Sequence, residues 1–515
     1  MIKDEKIWIA KNDNLQFLSP KMGNRHGLIA GATGTGKTIT LKVLAESFSS
    51  LGVPVFLADI KGDLSGMCAP GKESEDMSKR IAKFGIDDWS YTSFPTRFFD
   101  IFGKNGHPIR TTVSEMGPIL LSRLLGLTAI QEGVLNIVFR VADDNGLLLI
   151  DLKDLKAMLA YVAEHREEYT VTYGNVSPQS AGAIQRALLA LESQGGDLFF
   201  GEPAFDFMDW ITTDESGRGM INILDSTELV QSPLLYATFM LWMLTELFEK
   251  LPEVGDADKP KLVFFFDEAH LLFRDMPKSL NQKIEQVVKL IRSKGVGVYF
   301  ISQSPSDIPD EVLAQLGNRI QHALRAYTPA EQKAVRTAAQ TFRQNPAFDT
   351  SDAIMELGVG EALVSFLDEK GIPTMVERTF ILPPQSLMGP VDALTRNSMI
   401  TRSPLDEKYG IAVDNRSAYE ILTEQDAKEE AEELRAKEEA AAAKAQAKEE
   451  AAAAKQKEKE EAAALKKKEK EEAEKKKKVE KIFNKTIGRA TSSAFTSIGR
   501  QIGNSIIRGL FGTSK

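Results

Sequence analysis

The chain has 515 residues, 64 of them basic and 73 acidic, for a formal net charge of −9. Its single cysteine, Cys68, excludes an intrachain disulfide and a cysteine-rich zinc site, so no disulfide partner is expected. The first residues lack the apolar core of a signal peptide, and no apolar run nears the ~18 to 20 residues of a spanning helix, which predicts a soluble, cytoplasmic protein.

Residues 1–105 read as the first part of an α/β core. Apolar runs at 28–30 and 53–58 look like strands, with a helical pattern at 39–49 between them. These runs lack polar alternation, which suits a mainly parallel sheet covered on both faces. Directly after the first run, Gly31, Ala32, Thr33, Gly34, Thr35, Gly36, Lys37 and Thr38 match G-x-x-x-x-G-K-[ST]. Glycines and small residues let successive backbone N–H groups turn inward around phosphate oxygens, and the following helix directs its partly positive end at them. Lys37 would reach the β- and γ-phosphates, and the Thr38 hydroxyl would ligate Mg²⁺. Arg25, just ahead of the first strand, is a candidate for touching the nucleotide in its own subunit. Asp59, at the end of the second strand, is a candidate for organising water or metal, with capping of its own loop as the alternative.

Residues 106–212 carry apolar positions at three- and four-residue spacing (119–125, 133–141, 152–164 and 181–191), which predicts a mostly helical insertion between the second and third strands. Residues 213–400 resume the core, with strand-like runs at 220–224, 262–266, 296–302 and 319–324 and a helix over 280–293. The runs at 362–367 and 374–381 flank a short Gly-containing loop and predict an antiparallel hairpin. The apolar run 262–266 delivers Asp267 and Glu268 to its end, where buried charge is costly unless used. Asp267 would hold the hydration shell of Mg²⁺, and Glu268 would orient and deprotonate an attacking water. Gln303 ends the next strand, where ligands of open α/β sheets sit, and would sense a γ-phosphate or the lytic water. An arginine lent by a neighbouring subunit neutralises charge developing on a γ-phosphate. Arg292, at a helix end, is the first candidate, followed by Arg325 and Arg319 around the last parallel strand.

Residues 401–427 read as a linker. Residues 428–481 form a Glu/Lys/Ala tract with 17 basic and 16 acidic residues, a solvated helical or disordered spacer without a coiled-coil seam. Residues 482–515 hold five basic residues and no acidic one, leaving a net of −15 on residues 1–427. In that last segment Phe483, Ile487, Phe495, Ile498, Ile502 and Ile506 recur at helical steps opposite sparse basic residues. The pattern predicts an amphipathic segment for self-association, a protein partner or a membrane surface.

The chain resembles the HerA-like branch of the HerA/FtsK P-loop ATPases, and within it the YjgR-type bacterial family. The resemblance is carried by G-A-T-G-T-G-K-T at 31–38, A-D-I-K-G-D-L-S-G at 58–66 and F-F-F-D-E-A-H-L-L-F at 264–273. It extends through I-R-S-K-G-V-G-V-Y-F-I-S-Q-S-P-S-D-I-P at 291–309 and L-G-N-R-I-Q-H-A-L-R-A-Y-T-P at 316–329. It implies a RecA-like core, ATP with Mg²⁺, and a ring that is commonly hexameric and often drives DNA. About 25 residues precede the strand that leads into the phosphate loop, and by the resemblance these are expected to be too few for the β-barrel of HerA itself. Two activities follow as expectations: a ring motor on DNA, or an ATPase that remodels or gates a protein partner near a membrane surface.

Overall fold

In the computed structural model, which describes residues 1–255, 257–273 and 278–486, twelve strands join one sheet. They are β1 (Ile2–Lys3), β2 (Lys6–Lys11), β3 (Leu15–Leu18), β4 (Gly27–Ala30), β5 (Val55–Asp59) and β6 (Thr96–Phe99). The rest are β7 (Ile221–Asp225), β8 (Leu262–Phe266), β9 (Val296–Ser302), β10 (Asn318–Gln321), β11 (Glu361–Ser365) and β12 (Glu377–Ile381). Seven of them are parallel, in the order β10-β4-β9-β8-β5-β7-β6. Beyond β10 the sheet continues antiparallel through β11, β12 and β2, with β1 and β3 both on β2.

The unbroken apolar strands still alternate, because both faces are covered. Leu262, Phe264 and Phe266 of β8 enter one core with Phe56, Ala58, Val298 and Phe300. Val263 and Phe265 enter the other with Val55, Leu57, Ile29 and Ile301. The second core receives the helix Lys37–Ser50, whose Leu41, Leu44 and Phe48 are buried. The first receives the helices that follow β6: Val113–Leu124, Ala129–Asp144, Leu152–Glu164 and Pro178–Glu192. Two of these begin with reciprocal caps, Thr128 with Gln131 and Asp151 with Asp154, which satisfy the first orphan amides. The helix Pro233–Lys250 lies against the same face through Phe239, Trp242 and Leu244.

An aromatic cluster fastens this helical layer to the sheet. The Trp210 ring, fully buried, lies 4.5 Å from Phe56, 5.1 Å from Phe205 and 4.8 Å from Phe207, measured between centroids. Its carbonyl accepts from Asn222 Nδ2 of β7 at 3.2 Å.

Several elements differ from the sequence expectation. The helical stretch starts after an extra parallel strand, β6, so it separates β6 from β7. That strand is four residues long, and Arg97 interrupts its apolar run by donating to Asp209 O and Thr212 Oγ1. The strand expected at 319–324 ends at Gln321, after which Ala323 and Leu324 join a small core with the helices Pro329–Gln340 and Thr350–Glu356. The hairpin pairs antiparallel, with its strands trimmed to β11 and β12.

Residues 1–425 form one compact unit and the residues from Asp426 a second. The helix Ala418–Thr486 buries Ala418 and Leu422 at its start, within the first unit. From Asp426 its described side chains are exposed, Leu434, Leu465 and Val479 included. The readings made for the segment 482–515 rest on side chains outside the described residues. No helix among the described residues is long and apolar enough to cross a membrane.

Removing the Trp210 ring leaves a cavity that its aromatic neighbours cannot collapse to fill. Trp210→Ala is expected to destabilise the first unit by ~3 to 5 kcal/mol, read as a lowered urea midpoint by far-ultraviolet circular dichroism. An unchanged midpoint would show that the helical layer does not depend on this contact.

Candidate active site

The 31–38 loop springs from β4, the strand between β9 and β10, and it is tied to both neighbours. Gly31 N–H donates to Ser302 O at 3.2 Å and Ala32 N–H to Ala323 O at 2.8 Å. The loop also closes on itself: Thr35 Oγ1 donates to Ala32 O at 2.7 Å, and Lys37 Nζ donates to Gly31 O at 2.6 Å and Ala32 O at 3.1 Å. Two glycines are required by geometry. A Cβ on Gly31 would meet the Cβ of His322 at 2.5 Å, and Gly36, which starts the helix Lys37–Ser50, has φ of +113°. Thr33 and Gly34 stand exposed at the tip, while Thr35 is buried and Thr38 half-buried. His322 braces the loop, with Nε2 on Thr40 Oγ1 at 2.8 Å and Nδ1 on Glu361 O at 2.9 Å. Burial holds its pKa down to about 4, so the ring stays neutral.

Asp267 and Glu268 follow β8, one strand removed from β4. Both are buried, and Glu268 sits in the left-handed region, φ 46° and ψ 48°. For a non-glycine residue that conformation costs about 1 to 2 kcal/mol, and its amide donates to Asp267 Oδ1 at 2.9 Å. Lys61 lies between the two acids, with Nζ 2.7 Å from Glu268 Oε1 and 3.8 Å from Asp267 Oδ2. Gln303, just past β9, donates from Nε2 to Glu268 Oε2 at 3.4 Å. Beside it lies a cavity of about 730 Å³ bounded by His270, Phe273, Gln303, Asp307 and Pro309.

The two acids titrate in opposite directions. Burial pushes Asp267 up, Lys61 opposes this, and the charge of Glu268 reinforces it. Burial also works to raise Glu268, but the hydrogen bond and charge of Lys61, helped by Gln303 and Lys37, outweigh it and hold that carboxyl below its usual value. Burial lowers Lys37, with the Lys61 charge adding and Glu268 and Asp267 opposing.

The other sequence candidates fall in different places. Asp59 Oδ1 accepts from the amides of Gly62 and Asp63 and Oδ2 from Leu64, so its carboxyl is engaged by the loop that carries Lys61. Burial pushes its pKa up to about 6, against the pull of the Leu64 amide. Arg25 precedes β4 and Arg292 precedes β9, so both lie at the amino ends of strands whose carboxyl ends carry the site. Arg319 gives its guanidinium to the carbonyls of Leu316, Thr341 and Leu313 within its own chain. Arg325 is exposed past the end of β10 and donates to Met355 O and Leu357 O. Lys61 and His322 were in the quoted motifs but not among the candidate residues. The signal for Lys61 was its position two residues beyond a strand end, beside that of β8.

The model of a family described as helicase HerA-like C-terminal matches residues 5–515. The chain is 20% identical over 350 residues to the DNA double-strand break repair helicase HerA of Sulfolobus acidocaldarius, covering 66% of this chain and 62% of that protein. It is 21% identical, also over 350 residues, to its counterpart in Saccharolobus solfataricus, covering 66% and 61%. The chain thus spans about three fifths of the length of the curated relatives it matches. Among solved structures, the bacterial conjugative coupling protein TrwB aligns with a TM-score of 0.46 at 15% identity, over 73% of this chain and 90% of that one. VirB4 of Thermoanaerobacter pseudethanolicus aligns with 0.43 at 16%, over 73% and 96%.

The Lys61 pair sets the titration of Glu268. In Lys61→Met the cation is gone and burial dominates, so the carboxyl is expected to protonate at a higher pH. The check is an infrared pH titration in which Glu268→Gln identifies the band. A midpoint that stays put would show that Lys61 does not govern this group.

Proposed function

The chain belongs to the helicase HerA-like C-terminal family, and from that premise we propose that it is a Mg²⁺-dependent ATPase working as a homo-oligomeric ring motor on DNA. One observation carries the reading: Asp267, Glu268, Gln303 and Lys61 converge beyond the carboxyl ends of β5, β8 and β9, on the side where the 31–38 loop leaves β4.

The residues present fit a magnesium nucleotide. The loop has no room for a Cβ at Gly31, the Lys37 ammonium is held on loop carbonyls, and a buried acid stands nearby. The amides of residues 31–38 and Lys37 would take the β- and γ-phosphates, and Thr38 and Asp267 the metal, the latter through water. Bound there, Mg²⁺ supplies positive charge against the phosphate oxygens. Glu268 accepts a proton from water as the water oxygen bonds to the γ-phosphorus. The bond from that phosphorus to the β–γ bridging oxygen breaks, releasing ADP and inorganic phosphate. Gln303 orients the water, and Lys61 keeps Glu268 ionised and aimed. Asp59 shapes the loop bearing Lys61.

Arg292 is our choice for the finger given to a neighbour, since its place at the amino end of β9 takes it away from the site of its own chain. A head-to-tail ring gives every site such a neighbour. The DNA assignment rests on relatives whose names make them DNA repair helicases. The net −15 of residues 1–427 requires the DNA contact to be a local basic lining.

Glu268→Gln is expected to bind ATP as the parent does and to hydrolyse it ~100-fold or more slowly, in a fluorescent-nucleotide and phosphate-release assay. Near-parental turnover would remove Glu268 as the base. Duplex or single-stranded DNA at low salt is expected to raise the hydrolysis rate, with the gain fading as salt rises. A rate indifferent to all DNA would move the substrate to a protein partner. Mixing Glu268→Gln with Arg292→Ala subunits is expected to restore activity neither has alone, and strictly proportional loss would exclude Arg292 as the finger.

A further inference from the structure

A separate cavity, of about 520 Å³, lies beyond β6, the strand that ends the parallel array on the side away from β10. Four stretches line it: residues 101–110 after β6, the start of the helix Leu152–Glu164, residues 197–202, and residues 400–414, which come from beyond β12. Hydrogen bonds fix the last stretch to the others. Arg110 Nη1 donates to Tyr409 O at 2.9 Å, Val413 N–H to Glu202 O at 3.0 Å, and Asn415 Nδ2 to Glu202 Oε2 at 2.6 Å.

Five carboxylates line the cavity, those of Asp151, Asp197, Glu202, Asp406 and Asp414, against the cations of Arg110 and Lys153. Both cations are engaged. Arg110 is on the Tyr409 carbonyl, and Lys153 Nζ lies 3.4 Å from Asp151 Oδ2 and 4.0 Å from Asp414 Oδ2. Among the described residues no lysine or arginine pairs with Asp197, Glu202 or Asp406. A buried group points to the same place. His107 is 1% exposed, its Nδ1 has no hydrogen-bond partner among the described residues, and that nitrogen faces Asp406 Oδ1 at 3.8 Å. Burial lowers its pKa, so the ring is neutral and one of its polar atoms is left short of a partner.

The acids do not gather into a cluster of three that could hold a metal ion among the described residues, whereas a hard divalent cation needs about six or more oxygens around it. The rest of the lining is largely apolar, Ile101, Pro108, Leu198, Ile400 and Val413 included. Negative charge spread around an apolar lining suits a cation that is itself extended, with an alkyl stem behind each charge. We propose that this cavity binds a primary alkylammonium, supplied by a free aliphatic polyamine or by the lysine side chains of a partner. The alkyl stem lies along the apolar residues, and the ammonium groups meet Asp197, Glu202 and Asp406. An ammonium on Asp406 also gives His107 Nδ1 the donor it lacks.

The test is calorimetric titration of the full chain with spermidine and with a blocked trilysine peptide, which matches it in charge. At about 150 mM salt, loose pairing with exposed acids is screened, and one saturable site per chain is expected. Tighter binding of spermidine assigns the free amine, and tighter binding of the peptide assigns a partner's lysines. Asp197→Asn combined with Asp406→Asn removes charge at constant shape, and Ala412→Trp fills the cavity from an exposed lining position. Each is expected to weaken that site at least tenfold while ATP hydrolysis stays at the parental rate. No saturable site for either probe, or parental affinity in both variants, would overturn the proposal. Displacement of spermidine by magnesium chloride at equal ionic strength would overturn it too, since bare charge would then suffice.

Discussion

The parallel register of β4, β9, β8 and β5 is the constraint on which the rest of the molecule depends. Parallel strands all finish on one side, so the segment leaving each opens on the same edge. Here those segments are the 31–38 loop, Gln303, the Asp267–Glu268 pair and the loop carrying Lys61. Residues more than two hundred positions apart in sequence meet because Ala30 pairs with Ser302, and Phe266 with Ala58 and Phe300. A slip of one residue in β8 would turn Asp267 toward the opposite face and remove its pairing with Lys61.

That register is defended from both faces. One face rests on the helix Lys37–Ser50, and the other on the helical layer fastened through Trp210. The phosphate loop is further held by β10 and by the turn at Gly360, so the antiparallel extension contributes to the site although no residue proposed for the chemistry lies on it.

Much of this was legible in the sequence because the signals were local. The strands β8 and β9 were read to the residue from unbroken apolar runs, and the loop and the acid pair from their own strings. What stayed hidden depended on partners. The strand β6 is four residues long, and Arg97 within it is explained by Asp209 O and Thr212 Oγ1, both more than a hundred residues away. Lys61 looked like any loop lysine, because its worth lies in β5 and β8 being neighbours. Arg319 read as a candidate for another subunit, whereas its three carbonyl partners lie in its own chain. Charge type can be read from one residue, but availability cannot.

The position of Lys61 has a wider consequence. Two adjacent buried acids with nothing opposite them would repel each other and strain the end of β8. A lysine of the same chain, with Nζ 2.7 Å from Glu268 Oε1 and 3.8 Å from Asp267 Oδ2, sets one positive charge against the two acids and offsets part of that repulsion. The end of β8 thus depends for its charge on the loop after β5, a dependence that neither strand shows by itself.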